Sequence, residues 1–101
     1  SSLLWYFAIR GGFTSIVHLL IKDERIDVNL YCDENHQTSF YYACEDNYVE
    51  LVELLLNDEK VDINIPNNEG KTPFLVACEK GYDKIVRRLL QRKELVIINI
   101  K

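Results

Sequence analysis

Two histidines and three cysteines are the side chains of this sequence that most readily support nucleophilic catalysis or zinc binding. The number of cysteines is odd and no two have C-x-x-C spacing, so neither a zinc site nor a disulfide framework is indicated. Cys32 and His36 supply only two of the four ligands that structural zinc needs. His18 occupies a position that carries charged residues elsewhere in the chain, which favours an exposed helix residue. We therefore predict no catalytic site, no metal and no cofactor.

Composition and charge exclude further classes of function. With 101 residues, 48% of them apolar, the chain 1–101 is long enough for one folded domain. Its net charge of −4 argues against general nucleic-acid binding, and no apolar run approaches the ~20 residues of a membrane span. The glycines are scattered, so no phosphate-binding loop and no small-molecule substrate are expected. Unpaired thiols favour a reducing, cytoplasmic compartment.

The elements that would position these residues follow from an internal repeat of 34 to 35 residues. Shifted by 34, residues 38–45 match residues 72–79 at a threonine, a phenylalanine and an Ala-Cys-Glu run. Shifted by 35, residues 17–20 match residues 52–55 in their apolar side chains. A period held across three copies predicts a repeat architecture. The copies lie at approximately residues 1–32, 33–66 and 67–101.

Each copy predicts two helices. In the third copy Thr72 can cap a helix that begins at Pro73, and Gly81 can end it in the left-handed conformation. Apolar pairs at residues 85–86 and 89–90 then have the spacing of a second helix. Polar stretches near residues 29–37 and 64–71 separate the copies, as turns require.

Equivalent positions carry similar residues in the other copies. Gly12 and Asn47 stand where the third copy has its helix-ending glycine, and asparagine is the next-best residue there. Cys44 and Cys78 occupy one small apolar place, so we expect both in the core. Cys32 lies in a polar stretch, and we expect an exposed thiol.

Residues 72–78, together with Gly81 and the apolar pairs that follow, resemble the ankyrin repeat. The resemblance covers essentially the whole chain, although the first and last copies are atypical. It implies an all-α repeat fold, an ankyrin solenoid of antiparallel helix pairs with projecting β-turn fingers. His36 stands in the place of Gly70, which leaves the geometry of the first finger open because a non-glycine residue resists positive φ.

The resemblance also implies that a partner protein binds the concave face, through the fingers and the first helix of each repeat. Carried over position by position, the candidates for partner binding are Arg10, Tyr31, Glu34, Asn35, Gln37, Glu45, Asp46, Asn68, Glu69, Lys71, Glu79 and Lys80. For each of them the alternative is simple solvation. Asn64 resembles the ankyrin asparagines that oxygenases hydroxylate, but the simpler interpretation is a loop residue that bonds its own backbone.

Charge and end composition differ between the copies. Residues 1–36 carry a net charge of −2, residues 37–70 carry −7 and residues 71–101 carry +5. The acidic middle copy favours a partner with a basic patch. The ends at residues 3–7 and 95–100 are apolar, whereas terminal repeats usually present polar faces. We therefore expect a part of a longer array or larger protein, or ends buried by self-association. The alternatives to a binding module are accordingly a self-assembling element and a targeting or regulatory segment.

Overall fold

The structure, a computed structural model, describes residues 2–92. Within this range the backbone forms helices and no strand. The helices are α1 (Ser2–Arg10), α2 (Thr14–Leu20), α3 (Ser39–Glu45), α4 (Val49–Leu56), α5 (Pro73–Lys80) and α6 (Asp83–Leu90). The all-helical prediction and the two helices of each copy are confirmed, whereas the apolar stretch at residues 95–100 lies outside the described residues.

The helix boundaries follow the predicted capping residues. The hydroxyl oxygens of Thr38 and Thr72 each accept a hydrogen bond, from the backbone N–H of Tyr41 and of Leu75, at 3.2 Å. These bonds satisfy N–H groups that have no partner within the helix. At the other ends Asn47 and Gly81 adopt the left-handed conformation, with φ of 60° and 71°, as the sequence predicts.

The helices pack in two rows. Helices α1, α3 and α5 lie side by side in the first row, and α2, α4 and α6 lie side by side in the second. Each first-row helix also packs against the second-row helix that follows it in the chain. Because α3 lies between α1 and α5, six consecutive residues of it, 39–44, are buried. The core therefore runs through all three helix pairs and is thickest at the middle one.

The cysteines correct two expectations. Cys44 is fully buried, and desolvation raises the pKa of its thiol far above the ordinary value. Cys78 is exposed, because no described helix lies on the far side of α5. Cys32 is half-buried rather than exposed, and desolvation, helped by the charge of Asp33, raises its pKa to about 11. The predicted core place is thus closed in the first two copies, where Ile9 and Cys44 are fully buried, and open in the third.

No helix among residues 2–92 is long and apolar enough to cross a membrane.

Candidate functional site

Two loops beside the first-row helices hold many of the predicted binding residues. In the first loop the Asp33 carboxylate accepts hydrogen bonds from the backbone N–H groups of Asn35 and Gln37, at 2.9 and 3.1 Å. In the second loop the Asn67 side-chain oxygen accepts from the N–H groups of Glu69 and Lys71, at 2.9 and 3.0 Å. Short polar side chains that bond their own backbone fix a turn without a strand. Each loop is therefore built around one acceptor.

The first loop has His36 where the second loop has Gly70. His36 takes a φ of 59°, close to the 78° of Gly70 at the equivalent position. Its imidazole stacks on the Tyr31 ring, with centroids 4.3 Å apart and planes 6° from parallel. The N–H of His36 also donates to the Asp33 carbonyl at 3.2 Å. The left-handed conformation usually favours glycine. At His36 it is accompanied by the ring stacking and by the hydrogen bond within the loop.

The two loops are joined to each other. The backbone N–H of Asn68 donates to the Asn35 carbonyl at 2.9 Å, and its side-chain amide donates to the Glu34 carbonyl at 2.8 Å. The side chains of Glu34, Asn35 and Glu69 remain exposed, whereas Gln37 is half-buried. The predicted loop candidates thus form one continuous surface across two copies.

Arg10 is linked to the first loop through a residue that sequence reasoning did not select. Its guanidinium donates to the Tyr42 hydroxyl at 3.0 Å and lies 4.7 Å from the centre of the Tyr42 ring. The Tyr42 hydroxyl in turn donates to the Asp33 carboxylate. Burial, followed by this bond to Asp33, raises the pKa of Tyr42 well above its ordinary value. Tyr42 therefore carries the contact from α1 to the loop.

Tyr41 joins the second loop to α3, and the acidic residues of the site act on its hydroxyl. The Asn67 amide donates to its hydroxyl at 3.2 Å, and both side chains are buried. Desolvation, followed by the charges of nearby carboxylates, raises the pKa of Tyr41 to about 12. These carboxylates belong to Glu45, Glu79, Glu69 and Asp33. Acidic groups from two loops and two helices thus act electrostatically on one hydroxyl.

Three cationic side chains, those of Lys71, Lys80 and Arg10, interact with the acidic residues Glu79 and Glu45. Lys71 and Glu79 form an ion pair at 2.8 Å that ties the second loop to α5. Burial and the charge of Asp46 raise the pKa of Glu45, whereas Lys80 and Arg10 lower it. Asp46 and Lys80 are exposed at the ends of α3 and α5. One of the predicted helix candidates, Glu79, is therefore already paired with a loop candidate, Lys71.

The surface presents polar groups on a backbone that hydrogen bonds hold in place. Among residues 2–92, no three His, Cys, Asp or Glu side chains converge as a metal site would require. His18 is exposed on α2, as predicted, while His36 is held in the first loop. What the surface offers a ligand is exposed carboxylates, amides and carbonyls on a backbone that hydrogen bonds hold in place.

Asp33, Tyr42 and Asn67 were not among the predicted site residues. Asp33 and Asn67 are 34 residues apart, so the repeat period places them in one position, and both types readily bond nearby backbone N–H groups. That combination of period and residue type could have identified them. Nothing in the sequence distinguishes Tyr42, which needs Arg10 and Asp33 beside it.

The comparison with known families agrees with this architecture. Over residues 4–100 the chain matches the family model of ankyrin repeats, in three copies. No curated protein is similar enough in sequence to serve as a relative. Ankyrin repeats generally mediate protein–protein interactions and are typically non-enzymatic. Because the match spans nearly the whole sequence, the chain belongs to the ankyrin-repeat family.

Proposed function

We propose that this chain is a non-catalytic module that binds a partner protein through one face. The binding face comprises the exposed ends of α1, α3 and α5 together with residues 31–37 and 67–71. In the ankyrin architecture this is the concave side. Its partner-binding residues are the candidates named in the sequence analysis. Asp33 and Asn67 hold the two loops in shape, and Tyr42 holds Arg10 beside the first loop.

The observation that carries this proposal is the surface formed by the two joined loops, where Glu34 and Glu69 are exposed and Asn68 bonds one loop to the other. The charges of Glu45, Glu79, Glu69 and Asp33, on α3, α5 and both loops, add to the effect of burial in raising the pKa of Tyr41. Their mutual repulsion is offset only in part, by the ion pair of Lys71 with Glu79 and by Lys80 near Glu45. A partner with a basic patch would relieve the remaining repulsion and would be steered to the face from a distance.

The face also meets the requirement of being formed before binding. The loops are held by Asp33 and Asn67 and are bonded to each other through Asn68. Arg10 is fixed by stacking on Tyr42. A surface that is already ordered loses little conformational freedom on association, so more of the contact energy appears as affinity.

We place this module in a reducing compartment, the cytoplasm. The support is an exposed Cys78 and a half-buried Cys32 in a chain with an odd number of cysteines. Exposed thiols persist where glutathione keeps them reduced.

The proposal is tested with an array of basic, neutral and acidic peptides probed with the full chain. We expect selective binding of basic peptides that weakens as salt rises. The double substitution Glu45→Lys with Asp46→Lys should abolish that preference. The matched control, Glu50→Lys with Glu59→Lys, changes the net charge equally at exposed positions of α4 and the loop after it, and should retain binding.

Equal loss in both double variants would mean that the peptides respond to net charge alone, and this would contradict a localised face. Unchanged binding in the Glu45→Lys, Asp46→Lys variant would contradict the proposal that these two carboxylates attract a basic partner.

A further inference from the structure

The outer side of α6 and the turn after it carry a strip of cationic side chains. We name the basic strip by its members, which are Lys84, Arg87, Arg88 and Arg92. Residues 83–92 contain these four cations and one carboxylate, that of Asp83. The side chain of Arg87 is 74% exposed and that of Arg88 is 47% exposed. Spacings of three and four residues place such side chains along one side of a helix, so the positive charges form one continuous surface.

The repeat shows that this outer side of the second row is not a side on which helix pairs pack. Helix α4 lies between α2 and α6. Nevertheless Glu50, the equivalent of Lys84, is exposed. The side chain of Glu53, the equivalent of Arg87, is 40% exposed. Neither the neighbouring pairs nor the stretch that follows α4 covers these positions, so a further helix pair beside α6 would leave the basic strip open.

The fold does not require these cations. At the two positions that carry Lys84 and Arg87 in the third copy, the first copy has a serine and a histidine and the second has two glutamates. The same packing therefore accepts neutral, acidic and basic side chains on its outer side. Residues 93–101, which lie outside the described range, contain two lysines and one glutamate, so their charge adds to that of the strip.

The contacts within the chain leave donors of the strip available. Arg88 pairs with Glu53 of α4, and Arg87 has its partner at 3.0 Å within α6. Each guanidinium has five N–H donors, so a single partner leaves several for a ligand. Lys84 forms no ion pair with any residue of the described range. Ion pairs at exposed positions are also weak, so the carboxylates of a ligand can compete with those of the chain.

We propose that the basic strip binds a short acidic segment of a partner protein. The carboxylates of that segment would accept charge-assisted hydrogen bonds from the guanidinium and ammonium groups along α6. From residue 84 to residue 92 a helical rise of about 1.5 Å per residue gives a length of about 12 Å. An extended segment covers that length with about four residues. The inference is independent of the proposed binding face.

The neighbouring helix limits the width of the ligand. Glu53 of α4 contacts Arg88, and Glu50 is exposed on the same helix. A nucleic-acid duplex or an anionic membrane that reached α6 would also lie over these carboxylates and be repelled by them. A single chain segment can follow α6 alone. An acidic peptide therefore fits the strip better than a nucleic acid or a lipid surface.

The two proposed surfaces favour ligands of opposite charge. The binding face lies on the first row of helices and on the loops, whereas the basic strip lies on the outer side of the second row. Occupation of one surface therefore leaves the other free, and the chain would bridge a basic segment and an acidic one.

Fluorescence anisotropy of labelled ligands titrated with the full chain is the test. The ligands are a short glutamate-rich peptide, the same peptide with glutamine in place of glutamate, and a DNA duplex, while phosphatidylserine vesicles are tested by co-sedimentation. We expect binding of the glutamate peptide alone, weakening as salt rises. Lys84→Gln with Arg87→Gln should weaken it at least about tenfold, because two cations of the strip are lost.

The matched control is Lys22→Gln with Arg25→Gln. It removes one lysine and one arginine that are exposed after the first pair of helices. Arg25, like Arg87, has one nearby carboxylate as its partner. The control should bind the glutamate peptide like the native chain. Equal weakening in both double variants would overturn the proposal, as would no binding by the native chain at low salt or a preference for the duplex or the vesicles.

Glu53→Gln is the second variant, and its effect has the opposite direction. It releases Arg88 and removes a carboxylate from the border of the strip, so the glutamate peptide should bind about twofold more tightly. A gain in affinity cannot come from unfolding, which keeps the test valid if the double variant is unstable. No gain would overturn the placement of the acidic segment beside α4. None of these experiments uses a basic peptide, so their failure is distinguishable from a failure of the binding face.

Discussion

The first and third helix pairs of this molecule have equivalent positions along the repeat, but they expose side chains of different character. Helices α1 and α5 pack against α3, and α2 and α6 pack against α4. Outside that shared core, the first pair is apolar with one charged residue, and the third pair is dominated by lysine and arginine. A repeat therefore dictates which side of a helix pair is buried, while the outer side is free to vary.

The two described ends therefore differ in how they meet water. The charged side chains of the third pair are solvated without a partner, whereas the exposed apolar side chains of the first pair are unfavourable in water. The middle pair, which packs on both sides, has six consecutive buried residues in α3 and also carries Glu45 and Asp46 of the proposed binding face. Each prediction below asks whether these three pairs differ in the way their surfaces indicate.

The largest effect is expected from one leucine that recurs in all three pairs. Leu55 and Leu89 are fully buried, whereas their equivalent Leu20 is half-buried. Replacing either buried leucine with alanine should cost about 2–5 kcal/mol of unfolding free energy. Leu20→Ala should cost clearly less, because less surface returns to water. Urea denaturation of the three variants measures the difference.

One outcome of these three measurements would contradict the difference in burial between the first and middle pairs. If Leu20→Ala destabilises the monomeric chain as much as Leu55→Ala does, the first pair is as closed as the middle one, and the contrast between the ends is lost.

A smaller effect is expected from alkaline pH, and it belongs to the middle pair. The folded chain raises the pKa of Tyr41 to about 12, above the value of about 10 in an unfolded chain. The unfolded state therefore loses this proton first, and stability should fall as pH rises from about 10 toward 12. Below pH 10 the phenol contributes no slope. Tyr41→Phe should flatten this part of the stability curve, measured by denaturation at a series of pH values.

In that experiment Tyr6 is the matched position in the first pair. If Tyr6→Phe flattens the curve as much as Tyr41→Phe, the alkaline slope does not come from the acidic cluster of the middle pair.

Loss of a helix cap should have an effect of about 1 kcal/mol. Thr38 and Thr72 cap α3 and α5 through equivalent bonds, and the first pair has Leu3 at that position. Thr72→Ala should therefore lower the unfolding free energy by about that amount. Thr72→Ser retains the hydroxyl and should recover most of it. Equal losses in the two variants would show that the hydroxyl does not act as a cap.

The smallest effect is expected on the charged end. Arg88 on α6 pairs with Glu53 on α4, and both side chains are about half-exposed. Exposed pairs of this kind contribute about 0–1 kcal/mol. Arg88→Ala should thus change the unfolding free energy by less than about 1 kcal/mol. Arg87→Ala, which breaks only a pair with Asp83 within the helix, is the control. A loss of several kcal/mol would mean that charge, not the apolar core, joins the second and third pairs.

Much of the fold was predictable because the period repeats local rules. Thr72, Pro73 and Gly81 define one helix by themselves, and the period carries that definition to residues with weaker propensities, such as Asn47. The burial of Cys44 was predictable for the same reason. The exposure of Cys78 was not, because it depends on whether another pair follows in space rather than on the residue itself.

The site was predictable only in outline. Positions on the loops and helix ends follow from the family pattern, and they do cluster. The supports do not follow, since the hydroxyl of Tyr42 gains its role from Arg10 on one side and Asp33 on the other. His36 likewise takes a glycine's conformation beside Tyr31, a ring that stands five residues earlier in the chain. Contacts between copies are tertiary, and no local pattern encodes them.

The most direct test of the contrast between the pairs is the rate at which a thiol reagent labels Cys44 and Cys78, which occupy equivalent positions of the second and third copies. Cys44 is fully buried and desolvation raises the pKa of its thiol, whereas Cys78 is exposed. This account predicts that the reagent labels Cys78 rapidly in the folded chain and Cys44 only after unfolding, as peptide mapping would show. Equal labelling rates in the folded chain would contradict it.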